Sequence, residues 1–201
     1  MAESKSVKTI MNGIWRDHPV FSMLLGICSA LAVSNKIENA IAMGAGVTFV
    51  LLATGIIISL LRKIIPKQVR MIVYMITIAS FVIIVDRVLK AYFPEISDSI
   101  GPYVGLIITN CIIMGRAEGF YVANNLGQSF LDALSNGFAY TYTLVAVAAV
   151  RELLGFGTLL GFQVMPDFMP RWVVMSMAPG AFFVLGTLIW ITKTISGQTE
   201  D

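Results

Sequence analysis

The sequence predicts an all-α integral membrane protein of six transmembrane segments, built as two inverted three-helix repeats whose first members are short or broken half-helices. Three observations lead there. The chain is 57% hydrophobic and only 13% charged, with a mean hydropathy of +0.81, whereas a soluble domain carries about 25% charged residues. Several runs approach the roughly 20 apolar residues that a helix needs to cross a hydrocarbon core of about 30 Å. The only two cysteines, Cys28 and Cys111, sit at matching addresses in the two halves. Each stands nine residues after a proline, Pro19 or Pro102. Each is followed within ten residues by a basic-x-acidic triplet, Lys36-Ile37-Glu38 or Arg116-Ala117-Glu118.

In chain order, residues 1–18 come first. They place Val7, Ile10, Met11, Ile14 and Trp15 at helical spacing, which predicts an amphipathic helix lying on the membrane. The stretch is too long and too mixed in charge to be the n-region of a signal peptide, so a cleaved leader is not expected. A single transmembrane domain follows over 19–201, with repeat one at 19–93 and repeat two at 102–194. Its six segments fall near 20–34, 40–61, 71–90, 101–115, 131–150 and 173–192. The breakers between them are Pro66, Pro94, Asn124 with Asn125, and Pro166 with Pro170.

Segments one and four are short and contain Gly26 and Gly105. Pro19 to Ser34 spans 16 residues, or roughly 24 Å at 1.5 Å per residue, less than a bilayer core. Short, Gly/Pro-marked segments at corresponding positions of two halves point to broken helices at a repeat interface. Three crossings per half is an odd number, so the second half starts from the opposite side. The two short segments then enter from opposite faces, and their cysteines approach near the midplane. Ala40, Gly44 and Thr48 form a small-residue face suited to close helix contact.

Orientation follows from the loop cations. One side holds Lys5, Lys8, Arg16, Arg62, Lys63, Lys67, Arg70, Arg116 and Lys193. The other holds Lys36, Arg87, Lys90, Arg151 and Arg171. Nine against five predicts cytoplasmic termini. The net charge of +2 gives no basis for a nucleic-acid partner; the lipid bilayer is the expected surrounding.

Four chemistries fit the two cysteines. They can be inert, because a free thiol packs as a small hydrophobe. They can form a disulfide. They can bind zinc, which takes four ligands, although the only histidine, His18, lies outside the membrane segments. Or they can supply half of an iron–sulfur cluster, which takes four thiolates, so that a second chain brings the other two. Among the polar groups nearby, Thr109 and Asn110 directly precede Cys111 and are candidates to hydrogen-bond cluster sulfurs or to cap a broken helix. Lys36, Glu38, Arg116 and Glu118 are candidates for salt bridges that pin the half-helices or gate an ion path, with interfacial anchoring as the plain alternative. Asp86-Arg87 and Arg151-Glu152 read as interfacial anchors. No catalytic residue is assigned, and no GxGxxG loop precedes a helix.

The stretches LGICSALAV (25–33), VGLIITNCIIMGRAEGF (104–120), VRELLGFGTLLG (150–161) and APGAFFVLGTLIW (178–190) resemble the NqrD/RnfE family. Its members are membrane subunits of the sodium-translocating NADH:quinone reductase and of the related Rnf ferredoxin:NAD oxidoreductase. Ser29-Ala30 after Cys28 and the form of 104–116 look closer to the sodium-pumping branch. The resemblance implies a [2Fe–2S] cluster shared with a homologous partner of opposite orientation, NqrE (RnfA in Rnf). Each of the pair would supply two cysteines, here Cys28 and Cys111. It implies an electron relay toward ubiquinone coupled to Na⁺ export across a bacterial inner membrane. NADH oxidation and the flavins would reside on the other members of the complex, among the A, B, C and F subunits. The Rnf subunit remains an alternative. So do two readings from other classes, a stand-alone inverted-repeat transporter and a purely structural scaffold; iron content discriminates among them.

Overall fold

The computed structural model describes residues 20, 23–92, 94–159, 162–163, 174 and 177–196. The expected surface helix at 1–18, Pro166, Pro170 and the start of segment six lie outside these residues. The elements in order are α1 (Ile27–Val33), α2 (Ile37–Leu61), α3 (Arg70–Tyr92), α4 (Pro94–Ile108), α5 (Cys111–Arg116), a π-helical turn (Ala117–Tyr121), α6 (Leu126–Gly155) and α7 (Ala178–Ser196). One departure from the all-α expectation is a minimal antiparallel hairpin after α6, in which Thr158–Leu159 pairs with Phe162–Gln163. Helices α2, α3 and α6 are long and apolar enough to cross a membrane; α7 carries a shorter apolar stretch, Ala178–Thr194.

The core is the antiparallel pair α2 and α6. Its two ends are tied by polar contacts. At one end Arg62 donates from Nη1 to the Asn124 carbonyl (2.7 Å) and from Nη2 to Asn125 Oδ1 (3.1 Å), joining the end of α2 to the start of α6. At the other, the Ile37 amide that opens α2 donates to Glu152 Oε2 near the end of α6 (2.9 Å). Between them the backbones approach through small residues. A methyl group added at Gly44 would stand 2.6 Å from the Thr141 side chain, and one added at Gly137 would stand 2.6 Å from Thr48. The contact is reciprocal: Gly44 meets Thr141 and Thr48 meets Gly137, within two copies of one spacing, Ala40-Gly44-Thr48 on α2 and Ala133-Gly137-Thr141 on α6. Reading the α6 series together with its α2 counterpart would have exposed this pairing in advance.

Helix α3 shows the membrane's imprint from the outside. Tyr74, Ile78, Val82 and Val85 are buried at three- and four-residue spacing, while Met71, Ile72, Ile76, Ile83 and Ile84 are exposed. A helix apolar on both its packed and its open face belongs in lipid rather than water. Asp86 pairs with Lys90 one turn on (2.7 Å) rather than with Arg87.

Segments one and four are short or broken helices, as expected, but their bounds differ from 20–34 and 101–115. Segment one is helical only from Ile27, and seven residues make roughly 10 Å of helix. Segment four begins at Pro94, where a ring nitrogen without a proton costs nothing at a helix start. It continues past Pro102, breaks at Thr109–Asn110 and restarts at Cys111.

Candidate metal centre

Both cysteines open a helix after a backbone break, and the two breaks are made differently. Before α1, Gly26 takes φ 78° and ψ 12°, a left-handed conformation that favours glycine. Space demands glycine as well: an added methyl would meet Ile112 Cδ1 at 2.5 Å and Tyr140 Cε2 at 3.1 Å. Before α5, Asn110 is extended (φ −66°, ψ 117°), and its Oδ1 accepts the Ile112 amide at 3.0 Å. That is a side-chain N-cap, and it satisfies one of the amides a helix start leaves unpaired.

The two breaks touch. The Gly26 amide donates to Cys111 Sγ at 2.8 Å. Ser29, next to Cys28, and Asn110, next to Cys111, share one buried network. Ser29 Oγ lies 2.6 Å from the Tyr140 hydroxyl, Asn110 Nδ2 donates to Ser29 Oγ at 3.3 Å, and Ser29 Oγ donates to the Gly26 carbonyl at 3.1 Å. Ser29, Asn110 and Tyr140 are each fully buried. Tyr140 is the member of this network that α6 carries. It stands midway along the 30 residues of α6, so the meeting point falls near the middle of the longest span. From there α1 runs toward Arg151 near the end of α6, and α5 runs toward Asp132 and Asn136 in its first half.

The sulfurs face outward to different degrees. Cys28 is exposed, Cys111 is half-buried, and both are free thiols. Among the described residues no group of three or more His, Cys, Asp or Glu side chains is placed to hold a metal. Two thiols on a shared polar frame, with an amide already aimed at one sulfur, suit a soft-metal or iron–sulfur centre. They are half of the usual four-thiolate set. Thr109 is exposed at the second break.

The charged groups sort into two buried anchors and an outer pair. Arg151 and Glu152 are 2% and 5% exposed, so they are not the interfacial anchors their sequence position suggests. Arg151 Nη1 donates to the Leu31 carbonyl (3.2 Å) and to Ser34 Oγ (2.6 Å), and Nη2 to the Met177 carbonyl (3.3 Å). The cation thus sits at the C-terminal end of α1, and the adjacent Glu152 anion at the N-terminus of α2, each where the helix dipole favours it. On the other half-helix, buried Arg116 donates to Asn136 Oδ1 (2.8 Å), and its Nε lies 3.7 Å from Asp132 Oδ2. Asp132 and Asn136 carried no sequence motif; their burial one turn apart on α6 became visible only in three dimensions. Glu118 pairs outward with Arg70 at 2.9 Å. Lys36 and Glu38 are exposed and join no ion pair among the described residues.

This architecture, broken helices meeting beside a packed antiparallel pair, defines a membrane-embedded protein with a shared thiol site. Residues 6–189 match the family model described as Rnf-Nqr subunit, membrane protein. The chain belongs to the Rnf-Nqr family. It is similar to proteins named as the D subunit of Na(+)-translocating NADH-quinone reductase. One, from Pseudoalteromonas atlantica, is 43% identical over all of this chain and 99% of its own length. Another, from Chlamydia felis, is 44% identical over 98% of each. A third, from Psychromonas ingrahamii, is 45% identical over 97% of this chain and 96% of its own. These relatives are subunits of an oxidoreductase complex.

Proposed function

We propose that this chain is the D subunit of a sodium-translocating NADH:quinone reductase, and that Cys28 and Cys111 supply two of the four ligands of an intramembrane [2Fe–2S] cluster. The observation that carries the reading is the Gly26 amide on Cys111 Sγ, which brings the two cysteine-bearing breaks into one site. The exposed Cys28 leaves the site open on one side, where a homologous partner (NqrE, or RnfA in the Rnf complex) would complete it. When bound, such a cluster supplies one-electron transfer at mid-membrane depth.

This chain's own residues orient and insulate the two thiols. Asn110 starts the helix that presents Cys111, Gly26 gives its amide to that sulfur, and Ile112 and Tyr140 close over Gly26. Arg151 and Glu152 hold the half-helix bearing Cys28 against α2 and α6. The full-length similarity to the D subunits supports the assignment to the sodium-pumping branch rather than to Rnf. The reciprocal α2–α6 contact supports the inverted-repeat reading, because one two-fold relation carries Gly44 onto Gly137 and Thr141 onto Thr48. Thr109 stays a candidate neighbour of the cluster, and Lys36, Glu38, Arg116 and Glu118 stay candidates for gating. The complex would sit in a bacterial inner membrane with both termini of this chain cytoplasmic. The A, B, C and F subunits would carry the flavins and the NADH and quinone chemistry.

The test uses the whole complex. Cys28→Ala or Cys111→Ala is expected to remove the [2Fe–2S] EPR signal and at least 90% of quinone reduction, while NADH oxidation by artificial acceptors persists. Full quinone reduction in either variant would overturn the reading. So would purified complex with iron and sulfide unchanged by the substitutions.

A further inference from the structure

We infer that Tyr140 is the positioning residue that holds the two cysteine loops in one frame and thereby sets the electronic environment of the sulfur pair. The inference rests on the reading of Cys28 and Cys111 as cluster ligands and goes beyond it to a residue on a third element.

The loops come from parts of the chain more than 80 residues apart, and two direct hydrogen bonds join them. Tyr140 meets both. Its hydroxyl lies 2.6 Å from Ser29 Oγ, the residue after Cys28. Ser29 Oγ in turn receives Asn110 Nδ2, from the residue before Cys111, and donates to the Gly26 carbonyl. The Tyr140 ring closes on Gly26 from the same side, as the 3.1 Å approach of Cε2 to a notional Gly26 methyl shows. One side chain on a 30-residue helix therefore packs on and, through Ser29, ties down Gly26, the residue whose amide points at Cys111 Sγ. Amide donors to a cluster's sulfurs stabilise the reduced, more negative form and raise its potential, and the groups that orient those donors tune it. Freed from the Tyr140 hydroxyl, Ser29 can turn, and both Gly26 and Asn110 lose their common reference.

The experiment is an anaerobic redox titration of the purified whole complex, followed by EPR of the reduced cluster. In Tyr140→Phe the ring remains and only the hydroxyl goes. The expected result is retained or reduced iron content, a midpoint shifted to lower potential and an altered EPR line shape. Tyr142→Phe, which removes an exposed hydroxyl from the same helix, is expected to match wild type. Ser29→Ala removes the same bond together with those to Asn110 and the Gly26 carbonyl, and is expected to shift the midpoint in the same direction and at least as far. The double variant should move no further than Ser29→Ala alone, because Tyr140→Phe deletes only a bond that Ser29→Ala has already removed. If Tyr140→Phe fails to assemble, Ser29→Ala decides by the same criteria. A lower unfolding temperature with an unchanged midpoint and line shape would mean a merely structural role and would overturn the inference. Absence of a [2Fe–2S] signal in the wild type would instead overturn the cluster reading beneath it.

Discussion

The two cysteine loops occupy the same address in their halves of the chain, yet they are built by opposite means. The first turns on backbone: Gly26 enters a left-handed conformation, and no side chain caps α1. The second turns on a side chain: Asn110 stays in an ordinary extended conformation, and its amide oxygen caps α5. Their sulfurs differ correspondingly. Cys111 is half-buried and receives the Gly26 amide, whereas Cys28 is exposed and takes no hydrogen bond among the described residues. The lesson is that a repeated position preserves where a group sits, not how it is held. The first loop serves the second one's sulfur, so the pair is one asymmetric site rather than two copies.

Gly26→Ala is the hardest blow to that arrangement. It forces a left-handed conformation on a residue with a Cβ, at about 1–3 kcal/mol. It also drives a methyl into Ile112 and Tyr140, at about another 1–3 kcal/mol. Thermal unfolding of the purified complex should fall well below wild type and the cluster signal should be lost. Gly105, the interior glycine of segment four, has nothing within 4 Å of a notional methyl, so Gly105→Ala should leave stability unchanged or raise it by up to about 1 kcal/mol. Equal effects from the two would break the contrast.

Arg151→Ala comes next. It strips the donors from the Leu31 carbonyl and from Ser34, and an unsatisfied buried group costs about 1–3 kcal/mol. The loss should fall on the first loop. Cysteine labelling should therefore show faster modification at position 28 and little change at position 111. Uniform acceleration at both sites would argue that the loops unfold together.

Asn110→Ala should be the mildest of the three, at about 1 kcal/mol for a lost cap. Asn110→Asp keeps the capping oxygen but gives up the donor to Ser29. If cap and network are separate functions, hydrogen exchange at the start of α5 should quicken in Asn110→Ala and stay near wild type in Asn110→Asp.

Much of this was legible in the sequence where a local rule sufficed. Long apolar runs marked α2, α3 and α6, because a bilayer demands length and apolarity of any helix that crosses it. Proline, glycine and cysteine at matched spacing marked the two loops. The small-residue face at Ala40, Gly44 and Thr48 is where α6 packs, although its counterpart at Ala133, Gly137 and Thr141 went unread. Arg151 and Glu152 misled, because a charged dipeptide at the end of an apolar run looks interfacial. They are buried because each satisfies the end of a neighbouring helix, a need that exists only once α1 and α2 stand beside α6.

By itself, then, the sequence determined that this chain lives in a membrane, where its three longest apolar helices run and which two sulfurs it offers, since hydropathy and residue type are properties of the chain alone. Only the tertiary structure decided that the two cysteine loops meet. The loops that carry Cys28 and Cys111 are joined by Tyr140, Ser29 and Asn110, groups that gain a partner only when three separate helices meet, and in a low-dielectric interior a buried polar group without a partner is too costly to keep.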